Sequence, residues 1–273
     1  MAGEIPAKKL ILCGGDDDGD DDKYYEDTRS ECSLSLDRLT LEPRRKKLLV
    51  FDLNGLLVYR VYRSNKPEFP SDRTPDGRFG NHLVFKRPFA EEFVQFCLER
   101  FEIGIWSSAL EKNVDAVLDC MMANQRNRLL FVWGQSQCTD SGFKSLEKRM
   151  KPLFFKELKK VWYHFGGKYS ECDTLLIDDQ PYKALLNPAH TGIFLESYNP
   201  DNASDNLLDP NGQLGVYLDG LAAATNAQVY VKENPIGVAA ISSDHPDWNF
   251  YSEVLRGIKG ESEEKITPQQ QES

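Results

Sequence analysis

Short hydrophobic runs recur through the middle of the chain. Each is bounded by charged or turn-forming residues, and between them apolar positions are spaced as on one face of a helix. Leu48–Asp52 reads as a buried strand. Pro88 opens a helix in which Phe89, Phe93, Phe96 and Cys97 share a face. Glu102–Ser107 is a second buried strand, Leu110–Met122 a second helix and Leu129–Trp133 a third strand. Pro152–Phe165 has an amphipathic pattern with Phe155, Leu158 and Trp162 on one side, which predicts a helix. Asp173–Asp179 and Gly192–Glu196 supply a fourth and a fifth strand, and helical segments follow near Leu214–Asn226 and Asp247–Ile258. Strands alternating with helices predict an α/β fold: a mostly parallel sheet, helices on both faces and right-handed crossovers.

Two regions break the alternation. Residues 60–86 carry alternating aromatic and apolar positions and then Pro67, Pro70 and Pro75-Asp76-Gly77, which predicts a small β insertion. Residues 1–43 lack periodicity and hold the run Asp16 to Asp22, six aspartates and one glycine, so they read as a disordered acidic tail. That run lacks the spacing and terminal glutamate of a calcium loop. A domain over residues 44–259 and a polar tail over 260–273 complete the division.

Composition adds exclusions. At 273 residues, 40% hydrophobic and 28% charged, the chain can bury a core of ordinary globular kind. A net charge of −10 argues against direct binding of a nucleic-acid backbone. No apolar stretch approaches a membrane span and no signal-type segment opens the chain, so the expectation is a soluble protein of the nucleus or cytoplasm. Arg44-Arg45-Lys46-Lys47 reads either as a nuclear signal or as a charged lead-in to the first strand. None of the six cysteines forms a Cys-x-x-Cys pair, and His82, His164, His190 and His245 have no metal spacing.

The chemistry gathers at strand ends. Asp52, Ser107 and the pair Asp178-Asp179 end predicted strands, and Lys156 stands at a predicted helix start. In an open parallel sheet those ends meet in one crevice. Carboxylates, a hydroxyl and a lysine placed together suit phosphoryl transfer. One carboxylate attacks phosphorus, others hold magnesium, and the lysine offsets the phosphoryl charge. Each residue alone is more simply a turn, a cap or a surface lysine; the ordered set reverses that preference.

Asp52-Leu53-Asn54-Gly55-Leu56-Leu57-Val58 resembles the first motif, Asp-x-Asp-x-Thr, of haloacid-dehalogenase-type phosphatases. Lys86-Arg87-Pro88-Phe89, Ile105-Trp106-Ser107-Ser108-Ala109, Lys156-Glu157-Leu158 and Leu175-Leu176-Ile177-Asp178-Asp179-Gln180-Pro181 are similar to the later motifs of the RNA-polymerase-II C-terminal-domain phosphatases, also called NLI-interacting-factor-like phosphatases. The resemblance runs from about Lys47 to Ile258. It implies a Rossmann-like haloacid-dehalogenase fold and a phosphorylated protein as substrate, the RNA polymerase II C-terminal domain among the candidates. It implies Asp52 as nucleophile. Mg2+ would be held by Asp52, Asp178 and the main-chain carbonyl of Asn54, with Asp179 close by or binding through water. Ser107 and Lys156 would hold the phosphoryl group, with Lys151 as the alternative lysine.

Two positions depart from the pattern. The second aspartate of the motif, which acts as acid and then base, is Asn54, and the threonine is Leu56. An amide does neither job, and loss of a positioned acid/base typically costs ~10²–10⁴ in rate. Two expectations follow: a phosphoserine/phosphothreonine phosphatase weakened by Asn54, or an inactive pseudophosphatase that keeps the fold as a binding module.

Overall fold

A computed structural model describes residues 45–264 apart from positions 71–72, 123 and 148. The predicted acidic tail and all but the start of the predicted polar tail lie outside the described residues.

The chain begins with strand β1 (Leu48–Phe51), then β2 (Val58–Tyr62), β3 (Gly77–Phe79) and β4 (His82–Lys86), before helix α1 (Ala90–Arg100) and β5 (Glu102–Trp106). Helix α2 (Glu111–Met122) leads to β6 (Phe131–Trp133), β7 (Thr139–Lys144), β8 (Pro152–Phe155) and helix α3 (Leu158–His164). Strands β9 (Thr174–Asp178) and β10 (Gly192–Phe194) precede helices α4 (Gln213–Ala223), α5 (Ala227–Glu233) and α6 (Trp248–Glu264).

The main sheet has the order β10-β9-β1-β5-β6, and each of its neighbouring pairs is parallel. Strand β1 is central and buried along its whole length, which is why it reads as an unbroken apolar run. Its alternate residues face opposite layers. Leu49 and Phe51 pack with Phe93, Val94 and Cys97 of α1 and Leu118 of α2, while Leu48 and Val50 pack with Leu158 and Val161 of α3. Helices therefore cover both faces, as the alternation predicts. The insertion is a three-stranded antiparallel sheet, β2-β4-β3, running from the loop after β1 back to Lys86.

Four expectations change. Pro152–Phe155 is not helix: it is β8, paired antiparallel with β7, and Pro152 stands at the strand start, where a missing amide is tolerated. Phe155 accordingly packs in a different apolar cluster from Leu158 and Trp162. Phe89 does not share the face of Phe93. It caps α1 in a left-handed conformation (φ 63°) and is 42% exposed. The helix expected near Leu214–Asn226 is α4, which ends three residues early at Ala223; Asn226 instead accepts the Val229 amide and caps a separate helix, α5, that the sequence reading did not include.

The basic lead-in has structural partners. Lys47 is buried and donates to the carbonyls of Ala222 (3.2 Å) and Ala224 (2.5 Å) at the end of α4. Lys46 donates to Leu98 O, and the Arg45 guanidinium lies 4.4 Å from the Tyr169 ring centre. These contacts fit the reading of the cluster as a lead-in to β1.

Candidate active site

The register of β1 on β9 pairs Phe51 with Ile177, so the next residues, Asp52 and Asp178, emerge side by side. The Asp52 amide donates to Ile177 O at 2.9 Å, which carries the parallel ladder one residue past the strand. Asp52, Asp178 and Lys156 are almost wholly buried. Lys156 Nζ lies 2.6 Å from Asp52 Oδ1 and 2.6 Å from Asp178 Oδ2, a bridge between the two carboxylates.

Lys156 is not on a helix. It sits between β8 and α3, and the Asn187 amide clamps this bend: Asn187 Nδ2 donates to Lys156 O, and Asn187 Oδ1 accepts the Leu158 amide, both at 2.8 Å. Lys151, the alternative, is exposed and makes no ion pair with the three aspartates among the described residues.

A second lysine, not anticipated from the sequence, completes the cluster. Lys183 Nζ lies 3.0 Å from Asp178 Oδ1, 3.4 Å from Asp52 Oδ2 and 3.6 Å from Asp179 Oδ1. Burial alone would lower its pKa, but the carboxylates of Asp178, Asp52 and Asp179 outweigh burial and hold it well above the ordinary lysine value. Pro181 opens a short 3-10 turn over Pro181–Ala184 that carries Lys183 back over the aspartates. The available signal was its place four residues after Asp179, just past the Gln-Pro pair.

The loop after Asp52 is shaped by contacts on three sides. Gly55 has φ +96°, and a Cβ there would lie 2.1 Å from Asp179 Oδ2, so only glycine lets Asp179 approach. Asp179 Oδ2 accepts from Ser197 Oγ (2.5 Å) and Gln180 Nε2 (3.1 Å). Asn54 Oδ1 accepts the Arg60 amide at 2.9 Å, which seats the side chain against β2. Leu56, where the motif's threonine would stand, is fully buried in the core. Its carbonyl accepts from Arg87, which is itself paired to Asp205 at 2.9 Å in a buried salt bridge.

Ser107 follows β5 on the other side of β1 and is buried. Its hydroxyl accepts the Ala109 amide at 3.3 Å and makes no hydrogen bond to the aspartates or lysines of the cluster among the described residues. The structure thus joins Asp52, Lys156, Asp178 and Asp179 directly. Ser107 stands at the neighbouring strand end and Asn54 on the loop above.

Asp52, Asp178 and Asp179 bring carboxylate oxygens within 4.8 Å of one another. Two of these oxygens, Asp52 Oδ2 and Asp179 Oδ1, are buried without a hydrogen-bond donor. Hard and anionic, this donor set is of the kind that holds a divalent cation, and the Lys183 ammonium stands 3.4 and 3.6 Å from these two oxygens.

The model of the NLI interacting factor-like phosphatases matches residues 47–228, more than half of the chain. The chain belongs to that family. Among curated relatives, an uncharacterized FCP1 homology domain-containing protein of Schizosaccharomyces pombe is 25% identical over 227 residues, covering 79% of this chain and 88% of that protein. A probable C-terminal domain small phosphatase of Dictyostelium discoideum is 26% identical over 166 residues, 60% of this chain and 48% of that one. The human CTD small phosphatase-like protein is 25% identical over 175 residues, with coverage of 64% and 57%. The chain therefore spans only about half the length of these last two relatives.

Proposed function

We propose that this chain is a Mg2+-dependent phosphoserine/phosphothreonine protein phosphatase that works through an aspartyl phosphate on Asp52 and is slowed by Asn54. The observation that carries the reading is the state of Asp52. Its Oδ1 is held by Lys156, and its buried Oδ2 accepts no hydrogen bond, with the Lys183 ammonium 3.4 Å away. A carboxylate held this way is oriented and retains free electron pairs for attack.

In the first step an Asp52 oxygen bonds to phosphorus and the bond to the serine or threonine oxygen breaks. The departing alkoxide takes a proton from solvent water. Water then attacks phosphorus, the bond to the Asp52 oxygen breaks, the attacking water gives up a proton to solvent, and inorganic phosphate and the Asp52 carboxylate are released. Lys156 and Ser107 bind the phosphoryl oxygens. Asp52, Asp179 and the Asn54 carbonyl would hold Mg2+. Asp179 is better placed than Asp178, since both Asp178 oxygens already have partners in Lys156 and the Gln180 amide. When bound, the cation offsets the phosphoryl charge. Asn54 supplies no proton to the leaving group and takes none from water, so both steps lack a positioned acid/base.

The substrate is a phosphorylated protein, with the phosphorylated RNA polymerase II C-terminal domain as the first to try, and the site of action is the nucleus or cytoplasm. Among the described residues no helix is long and apolar enough to cross a membrane.

One observation favours a second reading. The Asn54 side-chain oxygen accepts the Arg60 backbone N–H, so a residue that can neither give nor take the catalytic proton fills the acid/base place in a well-formed loop. On that reading the chain is a pseudophosphatase that binds phosphoprotein without turnover. Phosphate release from an aryl phosphate and from phosphoserine peptides, with Mg2+, separates the two. Release above an Asp52→Ala control supports the enzyme, and release equal to that control supports the binding module.

A further inference from the structure

We propose that Lys183 is a tethered cation that stands in the aspartate cluster in place of a divalent ion. The native chain then binds Mg2+ weakly, and removing the Lys183 charge converts the cluster into a tight divalent-metal site. The inference builds on the reading of this cluster as the metal-assisted phosphatase site, but metal binding decides it, not turnover.

The geometry places one ammonium before three different carboxylates. The oxygens that Lys183 Nζ faces are Asp178 Oδ1, Asp52 Oδ2 and Asp179 Oδ1, at 3.0, 3.4 and 3.6 Å. Two of them are the same oxygens that are buried without a hydrogen-bond donor. A Mg2+ ion bound to Asp52 Oδ2 and Asp179 Oδ1 at its usual distance of about 2.1 Å would share one hollow with the Lys183 ammonium. Two cations that close, away from water, repel strongly.

Lys183 is also poorly free to leave. It is 3% exposed. Its amide donates to Gln180 O at 3.1 Å, and its carbonyl accepts the Lys156 amide at 2.8 Å. The backbone at Lys183 is thus tied to the Asp178–Gln180 turn on one side and to Lys156 on the other.

Charge points the same way. Three carboxylates face two ammonium groups, Lys156 and Lys183, which leaves one uncompensated negative charge. Adding Mg2+ to that set overshoots to a net positive buried site. Replacing Lys183 by a neutral residue and adding Mg2+ brings the set to neutrality.

The test compares the native chain with Lys183→Ala and Lys183→Met. Each is melted in EDTA and in about 10 mM Mg2+, a concentration at which millimolar-or-tighter binding to the folded state raises Tm. Mn2+ binding is measured in parallel from the loss of the free-ion electron paramagnetic resonance signal. The native chain should show only a small rise in Tm with Mg2+ and should bind Mn2+ weakly. Both variants should melt lower than native in EDTA, recover in Mg2+, and bind Mn2+ about tenfold or more tighter than native. A variant that folds only with Mg2+ counts for the proposal; one that folds with neither cation counts against it. A native chain that binds Mn2+ as tightly as the variants overturns it, as do folded variants indifferent to Mg2+. Either result leaves the phosphatase reading standing, since weak Mg2+ binding is compatible with slow Mg2+-dependent turnover and that reading rests on phosphate release against the Asp52→Ala control.

Discussion

The side-chain oxygen of Asn54 accepts the backbone N–H of Arg60 at 2.9 Å. A carboxylate oxygen at the same position accepts the same bond, so the loop above Asp52 is shaped for either residue. Asn54→Asp should therefore match the native chain in stability. Asn54→Ala leaves the Arg60 amide without this partner and should lose about 0.5–1.5 kcal/mol, toward the low end because the position is exposed. Urea unfolding of the three forms checks this.

The Arg87–Asp205 pair ties the Asp52 loop to the segment after β10. Arg87 donates from Nε to Asp205, and from Nη1 to the carbonyls of Leu56 and Glu196. Both residues are buried. Removing one partner strands a buried charge, so Arg87→Met or Asp205→Ala should each cost about 3–5 kcal/mol. The double variant should cost less than the sum, which thermal unfolding of the full cycle measures.

Gly55→Ala tests the close approach of Asp179. The added methyl would meet Asp179 Oδ2 at 2.1 Å, and the positive φ disfavours any side chain. The expected result is a stability loss of roughly 1–3 kcal/mol and a fall in phosphate release as Asp179 leaves Ser197 and Gln180. Native stability in this variant would contradict the packing described.

Glu157 gives a pH dependence. Burial would raise its pKa, but hydrogen bonds from Lys159 and Thr139 outweigh burial and hold it below the ordinary glutamate value. Its folded pKa therefore lies under the unfolded value of about 4.3, and its contribution is complete above that pH. The contribution is lost as pH falls through the folded value. The Tm difference between the native chain and Glu157→Gln should be constant near neutrality and shrink below about pH 4.3. A difference that grows on acidification would reverse the assignment.

The parallel sheet was legible because buried strands such as Leu48–Phe51 and Thr174–Asp178 are near-continuous apolar runs, and the aspartates end them. The β7–β8 hairpin was not. Thr139–Lys144 is polar, kinked by a left-handed Gly142, and Pro152 mimics a helix start. That misreading moved Lys156 onto a helix without changing its role as the lysine beside Asp52. Lys183 escaped because its place depends on a 3-10 turn that folds the chain back, which no apolar period reports. Phe89 was misplaced because Pro88 predicts a helical start two residues too early.

The central claim is that Asp52 remains a working nucleophile and that Asn54 is what slows it. The most direct measurement is phosphate release, with Mg2+, by the native chain, Asn54→Asp and Asp52→Ala on the same phosphoserine peptide. The account predicts release by the native chain above Asp52→Ala, and a gain of ~10²–10⁴ in Asn54→Asp. Native release no greater than that of Asp52→Ala, with no gain in Asn54→Asp, would contradict it.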